Sequence, residues 1–480
     1  MKISITSELI LSEVPASIEE EIKGRLVFLN PKWSENERLG RWNRDTPKYV
    51  TAYEKTRTGN LVVPRGFVRQ LLLMCRSRGV PCEIDDRRRA VEGAAFSFHG
   101  TLKPFQQQAA EGMLKREFGV LSAPTGSGKT VIALYMIAAR GQPAIVVVHN
   151  RELAFQWIDR IKTFLGLPEE AIGLIGAGKK ELGRPVTVAL IQSLCKCVRD
   201  VAPLTGYLVV DECHRTPSRT FTEAVSAFDA RFMLGLTATP WRRDRLSRLI
   251  FWYLGDVHHA IDAAALVAGG HILAADVVIR ETAFSPYHDA VREYSRMLSE
   301  LTADDGRNRL IAADVAAEVR AGQGVCLVLS DRKKHCETLQ ALLRYGYKTD
   351  SVLLTGDVSP RERRDVLARI GAGGVRVLVA TGQLIGEGFD CRDLATLFIA
   401  TPVRFSGRLL QYLGRVLRPA PGKTRARVYD YVDAAVGPLV SAAHARQRVY
   451  AGGDSGERQE GGTSSAAEPS RISWGLNRDL

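Results

Sequence analysis

The sequence predicts an α/β protein with two tandem parallel-sheet lobes, a small α+β domain before them and a disordered tail after them. Short apolar runs bounded by polar turns recur between residues 118 and 236 and again between 325 and 432, with helix-like stretches between them. A parallel sheet covered by helices on both faces has strands of this kind. The predicted divisions are an N-terminal domain at 1–95, a first lobe at 96–255, a linker at 256–310, a second lobe at 311–450 and a tail at 451–480. The linker is predicted to contain a helical excursion near 287–302.

Individual strands follow from the apolar runs. Each run is short, rich in β-branched residues and flanked by turn signals. The runs that predict strands are 118–122, 144–148, 186–190, 207–210 and 232–236 in the first lobe, and 325–329, 375–380, 396–400 and 426–432 in the second.

The N-terminal domain mixes strand-like pieces at 25–29, 49–53 and 60–63 with turn signals, and a helix is predicted after Pro64. Between residues 32 and 53, Trp and Tyr alternate with Lys and Arg. This pattern is typical of a surface on which rings stack on bases and cations meet phosphates. It is equally typical of an α+β module with buried Trp and solvated Arg. Both interpretations stay open, and residues 85–90 are predicted to be a charged connector.

Composition favours polyanionic partners. The chain carries 66 Lys and Arg against 53 Asp and Glu, a net charge of +13. Such a balance points to nucleic acid first and an anionic membrane surface second. The chain contains no run of eighteen apolar residues, so no membrane span is predicted. Polar residues interrupt the N-terminus, where a signal peptide would need an apolar stretch. Eight cysteines without metal-ligand spacing indicate reduced thiols, so we expect a soluble cytoplasmic protein.

A phosphate-binding loop is predicted at Ala123–Thr130, which reads Ala-Pro-Thr-Gly-Ser-Gly-Lys-Thr between a strand and a helix. Glycines there let backbone N–H groups converge on an anion at the helix N-terminus. Lys129 is expected to reach the β- and γ-phosphates of ATP, and Thr130 to ligate Mg²⁺. The loop residues expected to bind the nucleotide are Thr125, Gly126, Ser127, Gly128, Lys129 and Thr130.

A carboxylate pair, Asp211 and Glu212, follows the predicted strand at 207–210. If that strand neighbours the strand of the phosphate loop, Asp211 can hold Mg²⁺ and Glu212 can activate water. His214 is expected to relay the nucleotide state to the next strand end.

That next strand ends in Leu-Thr-Ala-Thr-Pro at 236–240. Its two hydroxyls, on Thr237 and Thr239, are expected to bond the Asp/His cluster and to couple hydrolysis to domain movement. The cations of Arg242 and Arg243 follow directly.

In the second lobe, glycines and a threonine at 379–390 suit close backbone approach to phosphates. The stretch 411–418 is predicted to be helical, which places Arg415 and Arg418 on one face. Two guanidinium groups on a rigid face suit the charge that develops on a γ-phosphate.

In this order the motifs resemble those of superfamily 2 helicases and translocases, over roughly residues 100–433. The resembling segments are Leu102–Gln106, Ala123–Thr130, His149–Gln156, Ile191–Leu194, Asp211–His214, Leu236–Pro240, Val325–Ser330, Thr381–Asp390 and Gln411–Arg418.

The resemblance implies two RecA-like lobes that bind ATP and nucleic acid across the cleft between them. It implies that Gln106 reads the adenine with Phe105 packing nearby, and that Gly388, Asp390, Gln411, Arg415 and Arg418 complete the ATPase site from the second lobe. The residues implied in nucleic-acid contact are Arg151, Gln192, Ser193, Arg242, Arg243, Ser330 and Thr381.

Within the superfamily the chain looks closest to the branch of XPB-like, UvsW-like and type III restriction motor proteins. XPB-like proteins place Arg-Glu-Asp after the Thr-Ala-Thr motif, whereas residues 242–244 here read Arg-Arg-Asp. The resemblance implies an ATP- and Mg²⁺-dependent DNA helicase or translocase in repair, recombination or defence. The alternatives are an RNA helicase, or a nucleotide-gated subunit that meets a protein partner through its N-terminal domain or its tail.

Overall fold

The computed structural model describes residues 1–215, 218–238, 246–322, 324–382, 391, 393–403, 406–450 and 476–477. The chain forms two compact units. The first comprises Met1–Ala123 and Gly128–Ile261, and the second comprises Asp262–Leu480 with Pro124–Ser127. Among the described residues, no helix combines the length and apolar character needed to cross a bilayer.

The N-terminal part of the first unit is an α+β fold. Its elements are β1 (Lys2–Ile5), β2 (Glu8–Ser12), α1 (Ala16–Arg25), β3 (Val27–Leu29), α2 (Pro31–Arg38), β4 (Tyr49–Thr51), β5 (Glu54–Lys55), β6 (Leu61–Pro64), α3 (Val68–Ser77) and β7 (Glu83–Asp86). Five strands form a sheet in the order β5-β6-β2-β1-β7, and β3 and β4 pair as a separate two-stranded sheet.

The charged stretch that begins at Asp85 is not a plain connector, which corrects the expectation from sequence. Asp85 and Asp86 belong to β7, which pairs in parallel with β1. All four residues of β7 are exposed, so this edge strand lacks the apolar alternation that marks a half-buried strand. Backbone pairing, and not side-chain burial, holds it in place.

The rest of the first unit is an α/β lobe. Its elements are α4 (Pro104–Leu114), β8 (Phe118–Ser122), α5 (Lys129–Arg140), β9 (Ala144–Val148), α6 (Arg151–Leu165), β10 (Ile172–Gly176), β11 (Lys179–Lys180), β12 (Val186–Leu190), α7 (Ile191–Leu194), α8 (Val198–Val201), β13 (Tyr207–Val210), α9 (Ser218–Val225), β14 (Phe232–Thr237), α10 (Ser247–Leu254) and β15 (Val257–Ala260).

These strands form one sheet in the order β11-β10-β12-β9-β13-β14-β8-β15. Every pairing is parallel except that of β10 with β11. All residues of β9 and β13 are buried, because helices pack on both faces of the sheet. Polar residues that follow the parallel strands therefore gather at one edge, where their carboxyl ends meet.

The second unit contains a second parallel sheet. Its elements are α11 (Ala263–Ala268), β16 (Ala275–Thr282), α12 (Tyr294–Ala303), α13 (Asp305–Ala321), β17 (Val325–Ser330), α14 (Lys333–Ala341), β18 (Val352–Leu354), α15 (Pro360–Gly371), β19 (Val377–Thr381), β20 (Leu394–Ile399), α16 (Ser406–Val416), β21 (Ala426–Asp433), α17 (Gly437–Tyr450) and β22 (Leu476–Asn477).

The strand order is β18-β19-β17-β20-β21-β16-β22, with parallel pairing throughout the described strands. Two buried ion pairs lie in this unit, Arg307 with Asp433 and Arg446 with Asp430. The guanidinium of Arg446 donates to both oxygens of Asp430 and fixes α17 against β21. The two sheets, parallel apart from the β10–β11 pair, confirm the predicted fold class.

Candidate nucleotide-binding site

The phosphate loop has the backbone that anion binding requires. It joins β8 to α5, and both Gly126 (φ +91°) and Gly128 (φ +84°) adopt left-handed conformations. Gly128 is the N-cap of α5 and brings no capping side chain. The N–H groups in the first turn of α5 lie at the positive end of the helix dipole, and no N-cap side chain competes with an anion for them.

Lys129 lies at the first position of α5. Its Nζ donates to the carbonyl of Ala123 at 3.0 Å, so the ammonium folds back across the loop. Within the loop, the Ser127 hydroxyl donates to the carbonyl of Pro124 at 2.7 Å. These bonds hold the loop closed around the region where a phosphate would meet the lysine.

Gln106 packs directly on this loop. Its side-chain oxygen accepts from the Lys103 N–H at 3.0 Å, which fixes the start of α4. A Cβ on Gly128 would lie 2.4 Å from Gln106 Nε2. Glycine is therefore favoured at position 128 by its left-handed φ, and a side chain there would also displace the Gln106 amide. Gln106 is buried beside the loop and Phe105 is half-buried.

The carboxylate pair lies at the carboxyl end of β13. The order β13-β14-β8 corrects one expectation: the strand of the pair does not neighbour that of the phosphate loop, because β14 lies between them. The intervening strand ends in Thr237. Strands with long crossovers need not be adjacent in the sheet, and spacing along the chain does not reveal their order.

Asp211 is held through both of its carboxylate oxygens. Trp157 Nε1 donates to Oδ2 at 2.8 Å, and the Glu212 N–H donates to Oδ1 at 2.9 Å. Burial, with the negative charge of Glu212, raises the pKa of Asp211, while the bond from Trp157 and the charge of Lys129 act against that rise. A cation bound at this carboxylate would offset the unfavourable burial of its charge.

Glu212 has a left-handed backbone, with φ +45°. Such a conformation costs a non-glycine residue on the order of 1–3 kcal/mol and is concentrated at functional sites. Next along the chain, His214 Nδ1 lies 2.9 Å from the Thr237 hydroxyl and 3.4 Å from a Glu212 carboxylate oxygen. His214 and Thr237 are buried. The contact between His214 and Thr237 therefore joins the ends of β13 and β14.

These residues fit a magnesium nucleotide. The glycine loop presents backbone donors to phosphates, and Lys129 adds positive charge. Thr130 and Asp211 supply oxygen atoms, which are the ligands that Mg²⁺ prefers. Glu212 offers a second carboxylate for proton transfer.

In the second unit, α16 carries Gln411 and Arg415, and Arg418 follows its end. Gln411 is buried, and both arginines are partly buried. The ammonium of Lys423 donates to the carbonyls of Val416 and Arg418, the latter at 2.8 Å. Burial lowers the pKa of Lys423 to about 8. Lys423 thus ends the arginine-bearing helix where a glycine C-cap would otherwise serve.

The residues implied in nucleic-acid contact differ in accessibility. Arg151 is exposed at the first position of α6, and Gln192 is exposed in α7 with Ser193 half-buried beside it. Thr381 ends β19 and is half-buried.

Ser330 is different, because its hydroxyl is engaged within the unit. It is buried, it accepts from the Arg332 N–H at 3.0 Å, and it lies 2.9 Å from His335 Nδ1. The other ring nitrogen of His335 lies 2.8 Å from Asn308 Oδ1. Burial, with the charge of Arg307, lowers the pKa of His335 to about 3. These contacts fix the side chains at the end of β17. They engage the Ser330 hydroxyl within the protein and so do not favour a direct contact of Ser330 with nucleic acid.

Some expected site residues lie outside the described residues: Thr239, Arg242, Arg243, Gly388 and Asp390. Sequence reasoning missed Trp157 and Lys423. The only sequence signal for Trp157 is its position in the segment after β9, because it meets Asp211 from 54 residues away.

The fold and the site define a P-loop protein with two parallel-sheet lobes. Residues 99–242 match the family model described as Type III restriction enzyme, res subunit, and residues 309–420 match the model of the Helicase conserved C-terminal domain. These two matches, together with the similarity to XPB and UvsW proteins, support a superfamily 2 helicase of the branch of XPB-like, UvsW-like and type III restriction motor proteins.

Two relatives illustrate the sequence similarity, and one solved structure illustrates the fold. The chain is 29% identical over 355 residues to a Halobacterium salinarum protein that carries the name DNA 3'-5' helicase Rad25. The matched region covers 71% of this chain and 56% of that protein. It is 27% identical over 411 residues to the DNA 3'-5' helicase XPB of Kineococcus radiotolerans, covering 81% and 69%. A fragment of an HsdR subunit of a type I restriction enzyme from Vibrio vulnificus YJ016 has the same fold, with a TM-score of 0.55 at 20% identity over 71% of this chain and 65% of that one.

Proposed function

We propose that this protein is an ATP- and Mg²⁺-dependent motor that translocates on or remodels DNA. The observation that carries the proposal is the buried contact between His214 and Thr237 at 2.9 Å. It links the strand end of the hydrolytic carboxylates to the end of the neighbouring strand. A protein that only stores or binds a nucleotide has no need of such a link, whereas a motor must transmit the state of its phosphates.

Each residue of the first unit has a role in this proposal. Lys129 binds the β- and γ-phosphates, Thr130 and Asp211 hold Mg²⁺, and Glu212 accepts a proton from the attacking water. Mg²⁺, when bound, would offset the negative charge of the phosphate oxygens. Gln106 binds the adenine and, through its contact with the loop, senses whether the nucleotide is present.

The second unit contributes positive charge to the same reaction in this proposal. Arg415 and Arg418 stabilise the charge that develops on the transferred phosphoryl group, with Gln411 beside them orienting the water. Lys423 holds the end of their helix. Gly388 and Asp390 are proposed to bind the nucleotide from this unit.

DNA is the favoured track because relatives in this branch are named as DNA helicases or translocases and because the chain carries a net charge of +13. Arg151, Gln192, Ser193 and Thr381 are proposed contacts. We expect such contacts to be made mostly to the sugar-phosphate backbone, so binding should tolerate sequence and weaken with salt.

The test is ATP turnover by the purified protein alone and with single-stranded DNA, duplex DNA, forked DNA or RNA. We expect DNA to stimulate turnover strongly and the Lys129→Ala variant to lose it. Stimulation by RNA alone would instead identify an RNA motor. Nucleotide binding without stimulation by any nucleic acid would instead identify a subunit that acts with a protein partner.

A further inference from the structure

The segment from β3 to β4 presents an unusual surface, which we call the β3–β4 surface. It consists of β3, α2, β4 and the loop 39–48. Trp42 is 84% exposed and Tyr49 is 53% exposed. Leu29 and Leu39 are also exposed. Single exposed apolar residues need no explanation, but four large ones within 21 residues of one segment make that segment a candidate interaction surface.

The loop that carries Trp42 is ordered by hydrogen bonds. The Asn43 amide donates to the Trp33 carbonyl at 3.1 Å and accepts from the Asn36 amide at 3.0 Å. The Arg41 N–H donates to the Asn36 carbonyl at 2.8 Å. The indole of Trp42 is therefore held out by a fixed loop, and a ligand that stacks on it need not first order the backbone.

Cations lie in the same segment as these rings. Lys48 Nζ lies 5.1 Å from the ring centre of Trp33 and 5.8 Å from that of Tyr49. In the part of the chain that the structure describes, four further exposed cations have no ion pair: Lys32, Arg38, Arg41 and Arg44. The carboxylates in the same stretch are Glu35, Glu37 and Asp45. Five cations against three carboxylates give the surface a positive balance, which complements a polyanion.

The β3–β4 surface is fixed to the α/β lobe of its own unit. The ring of Phe28 in β3 lies 5.7 Å from that of Trp252 in α10. Trp252 belongs to the same buried core as the N-terminal sheet. The buried guanidinium of Arg65 donates to the carbonyl of Ala230 at 2.8 Å, and Arg69 pairs with Asp256 at 2.9 Å. A ligand held by the surface is thus held by the lobe that carries the phosphate loop.

We propose that the β3–β4 surface binds single-stranded DNA, with Trp42 stacking on a base and Arg41 and Arg44 meeting the adjacent phosphates. Rings that offer a stacking face beside unpaired cations are how proteins bind single strands without reading sequence. This inference rests on the proposed function, which it extends by adding a strand-holding surface outside the two lobes. The surface keeps its strand fixed to the first unit through each ATP cycle.

The experiment measures the affinity of the full chain for fluorescent oligo(dT) by anisotropy at several salt concentrations. Trp42→Ala should weaken binding by about 5-fold or more, which is the loss of one stacked base, and Trp42→Phe should restore most of it. On an oligonucleotide of abasic sites the Trp42→Ala variant and the wild type should bind alike. Replacing Arg41 and Arg44 by Gln should make the negative slope of log affinity against log salt shallower by about 1.4, or about 0.7 for each phosphate contact.

Tyr345→Ala is the matched control, because Tyr345 is a 71% exposed aromatic residue in the second unit, with Arg344 Cζ 5.7 Å from its ring centre. This variant should bind oligo(dT) as the wild type does. Equal affinity of Trp42→Ala and the wild type for oligo(dT) would overturn the inference and would favour a protein partner for this surface. DNA-stimulated ATP turnover by the same wild-type preparation keeps that result separate from failure of the proposed function.

Discussion

The indole of Trp157 provides a sharp test of the nucleotide site. It donates to Asp211 Oδ2 at 2.8 Å from a side chain that is 1% exposed. Trp157→Phe keeps an aromatic ring but removes the donor. A hydrogen bond to a charged group is worth about 1.5–3 kcal/mol, and loss of a residue that orients a metal ligand lowers affinity or activity by about 10- to 100-fold.

The direction of the effect follows from burial. The pKa of Asp211 is already raised by burial and by Glu212, and the bond from Trp157 counteracts that rise. Without the donor the pKa rises further, so protons compete with Mg²⁺ more effectively. We therefore expect Trp157→Phe to need about 10-fold more Mg²⁺ for half-maximal ATP turnover, and we expect the difference from wild type to be larger at pH 6.5 than at pH 8.

The assay is ATP turnover titrated with Mg²⁺ at both pH values, with thermal unfolding as a check on folding. Trp252→Phe is the matched control, since Trp252 is also buried in the first unit, at 3% exposed, but packs on Phe28 in an apolar core. Both variants shrink a buried indole, yet only Trp157→Phe should change the Mg²⁺ requirement. An unchanged requirement at both pH values would refute the role given to Trp157.

Three further outcomes are expected. Arg415→Ala should abolish turnover while ATP binding, measured by equilibrium titration, stays within a few-fold of wild type; loss of ATP binding would show that Arg415 has a different role. Gly128→Ala should strongly weaken ATP binding, because a side chain at its φ of +84° is strained and its Cβ would displace the Gln106 amide at the phosphate loop, whereas Gly178→Ala, at a similar positive φ with nothing within 4 Å, should bind ATP normally. His335 has a folded pKa of about 3, so the unfolded chain binds its proton first and stability falls as pH drops below about 6.5. In urea unfolding, His335→Gln should therefore lose about 2 kcal/mol less than wild type between pH 7 and pH 5, and identical losses would contradict the neutral, buried state of His335.

Among the strands that the sequence predicts best are central strands that are almost entirely buried. The runs at 144–148, 186–190 and 207–210 are strands with those same bounds in the structure. They are continuously apolar because both faces of a central parallel strand are covered. Strands with polar or exposed residues were missed, among them β1 and β7 of the N-terminal sheet.

The residues of the candidate site also fall into two groups, those that local sequence reveals and those that it does not. Motif residues such as Lys129 and Asp211 could be assigned because their spacing to a strand and a helix is local. Trp157 could not, because nothing local shows that a helix after β9 brings its indole to the end of β13. The order of strands in the sheet is likewise a tertiary property, and the place of β14 between β13 and β8 is what allows Thr237 to meet His214.

The central claim, that ATP hydrolysis drives movement on DNA, is tested most directly by displacement. Wild type and Glu212→Gln would be compared for ATP-dependent removal of streptavidin from biotinylated single-stranded DNA and of a third strand from a DNA triplex. We predict that the wild type clears at least one of these substrates, that non-hydrolysable ATP analogues do not support clearance, and that Glu212→Gln binds ATP and DNA but clears neither. Wild-type protein that hydrolyses ATP in the presence of DNA and yet clears neither substrate would contradict the account.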